Sequence, residues 1–176
     1  MNFQHPLFKD RPNISDIVFT PEYVAVDIIK WLNPAGVCLD PCKGDGAFYN
    51  NFPNMGVWCE ITEGRDFFDF NERIDWVIGN PPYSLFEQFL FHSFNIADDV
   101  CFLVPTNKIF QRLKIMKMIN NFGNIKGMRI YGSGQNINFP FGFSVGAFHF
   151  SRGHNGTADI VLSPFLEDNP KLKLFT

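Results

Sequence analysis

Asn80-Pro81-Pro82-Tyr83 is the stretch of this chain best suited to chemistry on a nitrogen atom. Its two prolines fix the backbone and neither can donate a hydrogen bond. The loop therefore offers carbonyl oxygens and the Asn80 side-chain oxygen as acceptors. An exocyclic amino group donating to two such acceptors is held, and its lone pair leaves conjugation as the nitrogen pyramidalises toward an electrophilic methyl group. The neutral nitrogen can attack first and lose its proton later, so no general base is required. Tyr83 adds a face on which a planar base can stack. A bare tetrapeptide of this kind could also be a proline-rich turn. Its position, directly after the apolar run Asp75–Gly79 and before an apolar helix, favours a site.

A second constellation lies some forty residues upstream, in Asp40-Pro41-Cys42-Lys43-Gly44-Asp45-Gly46-Ala47-Phe48. Gly44 and Gly46 can adopt positive φ and leave no side chain between backbone and ligand. A helix after them would present free N–H groups to a polar ligand. A tight turn is the bland alternative, since the full G-x-G-x-x-G spacing is not met. About twenty residues further on, Glu60 closes another apolar run, where a carboxylate can accept from both hydroxyls of a ribose. Asp66 follows in Gly64-Arg65-Asp66-Phe67-Phe68, placed to accept from an adenine amino group while Phe67 packs on the ring. Taken singly, Glu60 and Asp66 could be solvated loop acids. In this order, the three elements point to an adenosine-bearing cofactor.

The elements that must carry these residues read as an α/β protein. Thr20-Pro21 opens a helix, with Thr20 as N-cap, and Asn33-Pro34-Ala35-Gly36 ends it. Four apolar runs follow, Gly36–Asp40, Gly56–Glu60, Asp75–Gly79 and Val100–Pro105, each leading into polar residues. Continuous apolar runs suit parallel strands buried on both faces, and such sheets bind ligands at the carboxyl ends of their strands. Ser84-Leu-Phe-Glu87 reads as a capping box opening a helix. One helix is expected over Asn107–Asn121, with Ile109, Leu113, Met116 and Ile119 inward, and Lys126–Gly132 and Ser144–Ser151 as an antiparallel pair. The expected whole is a single domain, with residues 1–15 as an arm and 152–176 as an extension.

Composition is that of a globular chain: 176 residues, 45% hydrophobic, 19% charged and net charge −3. The mild acidity counts against a strongly basic nucleic-acid face without excluding a local one. Cys38, Cys42, Cys59 and Cys101 form no CxxC pair and read as free thiols, and no metal site is expected. The absence of a long apolar stretch or leader pattern leads to the expectation of a cytoplasmic protein with no membrane contact.

The series Asp40-Pro41-x-x-Gly44-x-Gly46, Glu60, Asp66 and Asn80-Pro81-Pro82-Tyr83 resembles the DNA adenine-N6 methyltransferases, and Phe19–Ala25 is similar to their N-terminal cofactor element. The resemblance covers roughly residues 15–150. It implies a Rossmann-like class I methyltransferase fold: a mostly parallel central sheet, an antiparallel terminal strand, and helices on both faces. It implies S-adenosyl-L-methionine as cofactor, held by Thr20, Asp40, Pro41, Gly44, Gly46, Phe48, Glu60, Asp66 and Phe67. Asn80, Pro81, Pro82 and Tyr83 would act on a flipped-out adenine in DNA. Family members carry a large target-recognition domain not evident here. A minimal form, of phage or mobile-element origin, is therefore expected, with a partner protein supplying recognition. The same tetrapeptide also serves methyltransferases of RNA adenine and of protein glutamine, and a non-catalytic partner subunit is a further alternative.

For the nucleic acid itself, Lys108, Arg112, Lys114 and Lys117, joined by Lys126 and Arg129, form the densest basic cluster. They could contact phosphates or be a solvated helix face. In the loop Gln135–Phe143, Phe139 is expected to touch bases and Phe143 to plug the core edge.

Overall fold

The computed structural model describes residues 18–162 and Phe165. Val24, Ala25, Ile28 and Ile29 recur at helical spacing and form the buried stripe of helix α1 (Glu22–Leu32). Asn33 in the left-handed conformation, followed by Pro34, ends it as the sequence predicts. The helix starts later than expected. Pro21 occupies the cap position and Thr20 lies outside it, lining a cleft described below.

The strands are β1 (Cys38–Asp40), β2 (Gly56–Trp58), β3 (Ile74–Gly79), β4 (Ala97–Pro105), β5 (Gly123–Ser133), β6 (Ser144–Arg152) and β7 (Asp159–Leu162). They form one sheet in the order β2-β1-β3-β4-β6-β5-β7. β1, β2, β3 and β4 pair in parallel. Only β6 runs against its neighbours, between β4 and β5. The antiparallel strand is thus internal, and the edge is β7, drawn from the stretch expected to be an extension and paired in parallel with β5.

Helices α2 (Phe86–Ile96) and α4 (Leu113–Phe122) cover one face, sharing a core with Val77, Val100, Phe102 and Phe148. On the other face α1 packs over Ile78, Cys101, Leu103 and Ala147. Asp27 ties α1 to β5 by a paired hydrogen bond with Arg129 (2.6 Å each) and accepts from the Tyr131 hydroxyl at 2.8 Å. Helices on both faces and a mostly parallel sheet are as expected.

Three local expectations change. The single helix over Asn107–Asn121 is two, α3 (Thr106–Phe110) and α4, broken at Gln111-Arg112. The break rotates the pattern by a residue or so: Ile115 is buried, whereas Leu113 is 83% exposed and Met116 is also exposed. At the start of α2, Ser84 belongs to a short 3-10 turn and Leu85 takes the cap position. Glu87 pairs with Lys114 and Arg112 rather than completing the expected box.

Candidate functional site

The chain leaves β1 to add β2 on one side, then returns to add β3 on the other, so β1 and β3 flank a topological switch point. In open α/β sheets a crevice opens there, beyond the carboxyl ends of the strands. The segments after both strands meet at that crevice. Gly44 from the turn after β1 and Asn80 from the end of β3 line one cleft with Thr20, Phe19 and Phe48.

The turn after β1 is shaped from beneath by Asp40. Its buried carboxylate accepts from the Cys42 amide at 3.2 Å and the Tyr49 amide at 3.3 Å. Burial pushes Asp40 up to about 7, against the pull of those two amides. Asp40 and Pro41 both shape this turn from beneath. Asp40 is spent on the backbone, and Pro41 packs where a side chain on Gly79 would stand. Gly44 (φ 51°) and Gly46 (φ 87°) both need the left-handed region. A Cβ on Gly46 would lie 2.6 Å from the Asn50 amide, and one on Gly44 would press on Phe19. The expected helix after the glycines is absent; a 3-10 turn, Tyr49–Asn51, takes its place. Backbone approach, not a helix end, is what this turn offers.

Glu60 stands beside that turn. One oxygen accepts from the Gly44 amide at 3.0 Å, the other from the Thr62 amide and hydroxyl at 3.2 and 2.8 Å. Burial raises its pKa, but these hydrogen bonds outweigh it and hold the carboxylate below its ordinary value. It is ionised and oriented. The neighbouring Ile61 is an exposed apolar side chain that the sequence reading passed over. Lys43 and Arg65 each sit 3.9 Å from the centre of the Trp58 ring, clamping the glycine turn to the Glu60 hairpin. Asp66 caps a 3-10 turn by accepting from the Phe68 amide at 2.9 Å. Phe67 is 3% exposed and stacked on Phe89, with its ring packed in the core.

Asn80 carries the most specific geometry. Its side-chain nitrogen donates to the Val18 carbonyl at 3.0 Å. A carbonyl can only accept, so this bond fixes the amide and leaves Oδ1 as the acceptor. That oxygen is buried and has no hydrogen-bond partner. Orphaned buried acceptors are rare and point to a missing donor. Pro81 and Tyr83 are buried beside it, and the Tyr83 ring meets Phe141 edge-on at 6.0 Å. Phe141 in turn stacks on Phe143 at 3.9 Å.

The loop aromatics reverse the expectation. Phe139 is 3% exposed and packs with Ile137 and Tyr131, whereas Phe143 is 45% exposed. Of the basic cluster, Arg129 is bound to Asp27, and Arg112 and Lys114 pair with Glu87. Lys117 is exposed on α4 and Lys108 is half-buried on α3, both without an ion pair among the described residues. All four cysteines are free thiols. Among the described residues no His, Cys, Asp and Glu group could hold a metal ion, and no helix could cross a membrane.

Solved structures share this architecture. A modification subunit of a type I restriction enzyme from Vibrio vulnificus superposes with a TM-score of 0.61 at 13% identity, over 85% of this chain and 47% of that one. The fold is the class I methyltransferase fold. A class I S-adenosylmethionine-dependent methyltransferase from Listeria monocytogenes gives 0.60 at 14% identity, covering 86% of this chain and 66% of that one. A Pyrococcus horikoshii protein described as an RNA methyltransferase gives 0.55 at 17% identity, covering 74% and 82%. The chain thus spans about half the length of the restriction-enzyme subunit. The sequence matches no protein-family model and no curated protein.

Proposed function

We propose that this chain transfers a methyl group from S-adenosyl-L-methionine to the N6 amino group of adenine in DNA. The observation that carries the reading is the buried, unpartnered Asn80 oxygen, held in orientation by Val18 at the cleft that the glycine turn also lines. The donor set fits the cofactor: an ionised Glu60 for ribose hydroxyls, a side-chain-free turn at Gly44 and Gly46, and Thr20 and Phe48 along the cleft. When bound, S-adenosyl-L-methionine supplies the electrophilic methyl.

The chain's own residues do the rest by placement. Asn80 Oδ1 accepts one amino hydrogen, and a backbone carbonyl of the Asn80–Pro82 turn takes the other. Two acceptors draw the lone pair toward the methyl without prior deprotonation. Phe143, exposed and stacked on Phe141 with Tyr83 packed behind, offers an aromatic face to a base extruded from its helix, and extrusion is needed because a paired N6 is out of reach. Lys108 and Lys117 serve the phosphates, and a partner protein supplies most of the target choice.

RNA adenine is the second reading, favoured by the resemblance to the Pyrococcus protein, most of whose length this chain matches. Incubation with labelled S-adenosyl-L-methionine and DNA, structured RNA or a glutamine-bearing release factor separates the substrates. Label in DNA is expected. Label only in RNA or only in protein would overturn the DNA assignment.

A further inference from the structure

A second, larger cleft opens at the opposite end of the sheet, where β3, β4, β5 and β7 begin. Its aromatic floor is Trp76 tilted against His149 at 5.0 Å, and Trp31 stands as a wall, seated over Gly127. Its rim is acidic: Asp75, Asp98, Asp99 and Asp159 against the single ammonium of Lys126. Asp98 is neutralised by Arg73 and Arg152, and Asp99 accepts from His149 at 2.7 Å. Among the described residues Asp75 accepts only a backbone amide, that of Val37 at 2.7 Å, and Asp159 has no side-chain partner. Unneutralised carboxylates around indole faces are the surroundings a guanidinium or ammonium seeks.

The cleft continues into an open sheet edge. Asp159 is the first residue of β7, opposite Gly127 under Trp31. No strand covers the other side of β7 among the described residues. Alternate side chains of a strand face opposite ways. Asp159 and Val161 share the Trp31 face, and Ile160 and Leu162, each 64% exposed, share the other. An unpaired edge with exposed apolar residues is a ready template for another strand.

We infer that β7 and this cleft dock an extended segment of a partner protein in which arginine or lysine alternates with apolar residues. The cation seats between Asp159 and the Trp31 indole, and the apolar side chains cover Ile160 and Leu162. Charge complementarity selects a basic segment; β7 itself, Asp-Ile-Val-Leu, lacks that pattern, whereas Lys171-Leu-Lys-Leu of this chain carries it, so capture of a second copy is an outcome that the test separates. The inference concerns binding alone and stands whichever nitrogen is methylated.

The test uses the full chain and a capped pentapeptide alternating valine and arginine, read by tryptophan fluorescence and by amide exchange in Asp159–Leu162. Saturable binding that slows exchange there is expected, about tenfold weaker with glutamine in place of arginine or in Asp159→Asn. Trp31→Phe separates packing from charge and should weaken binding less. Peptide binding unchanged by Asp159→Asn, equal binding of free spermidine, or concentration-dependent self-association through β7 would each overturn the inference.

Discussion

The two ends of the sheet solve opposite problems with the same strands. At the carboxyl ends the polar groups are few and held in place: one buried amide oxygen without a donor, one half-buried carboxylate held by three hydrogen bonds, and two glycines that bring backbone to the surface of a cleft. At the amino ends the charges are many and sit on a rim, several already paired. A group that must be placed to a fraction of an ångström calls for dry, preorganised acceptors. A partner that need only be captured can be met by a wet, charged rim whose individual contacts are weak. The lesson is that the end proposed to react is marked by what is unsatisfied and by side chains that are absent.

Removing the orphan acceptor should be the most damaging single change. Asn80→Ala is expected to lower kcat about 10²- to 10³-fold, as loss of a preorganised hydrogen-bonding group does elsewhere. Cofactor affinity, measured calorimetrically, should move much less. Full turnover in this variant would break the contrast between the two ends.

Next is the glycine turn. Gly46→Ala forces a side chain into a left-handed residue and against Asn50, a strain on the order of 1–3 kcal/mol. Cofactor affinity should fall at least about tenfold, with a lower melting temperature. Unchanged cofactor binding would mean that the turn is not the cradle.

Asp40 gives a pH signature at the same end. Its folded value near 7 lies above the ordinary carboxylate value of 3.8, so between the two the folded state keeps a proton that the unfolded chain has lost. Stability from this group is full below the lower value and falls as pH rises through the higher one. The melting temperature should therefore drop between about pH 5 and about pH 8 by the equivalent of up to a few kcal/mol, more than in Asp40→Asn. Glu60, held below its ordinary range, acts only in more acid solution. A wild-type profile parallel to that of Asp40→Asn would refute this assignment.

The two loop phenylalanines should separate stability from substrate binding. Phe139→Ala should cost about 3–5 kcal/mol in chemical denaturation, because it empties a core position. Phe143→Ala should leave denaturation unchanged and raise KM for nucleic acid severalfold, the smallest effect of the set. The reverse pattern would restore the expectation drawn from sequence.

What was legible in the sequence is what local chemistry dictates. Apolar runs ending in Asp40, Asn80 and Pro105 announced buried parallel strands and the end at which the site lies. Gly44, Gly46, Glu60 and Asn80 were singled out by residue type and spacing, and the fold places them around one switch point, where the proposed site lies. What was not legible depends on partners distant in sequence. Phe67 looked available until α2 laid Phe89 on it, and Arg129 looked like a surface cation until α1 delivered Asp27 from 102 residues away. Phe139 and Phe143 share type and neighbourhood, and the fold buries the one directly after the Asn138 turn, with its positive φ, and leaves the other exposed. The amino-end cleft draws on residues from Trp31 to Asp159, so no local window contains it.

The most direct test of the central claim is the identity of the methylated nucleoside. DNA is incubated with the protein and S-adenosyl-L-methionine, digested to nucleosides and examined by mass spectrometry. N6-methyladenine that disappears with Asn80→Ala is the predicted result. Methylation at cytosine or at a ring nitrogen, or N6-methyladenine undiminished in Asn80→Ala, would contradict the account.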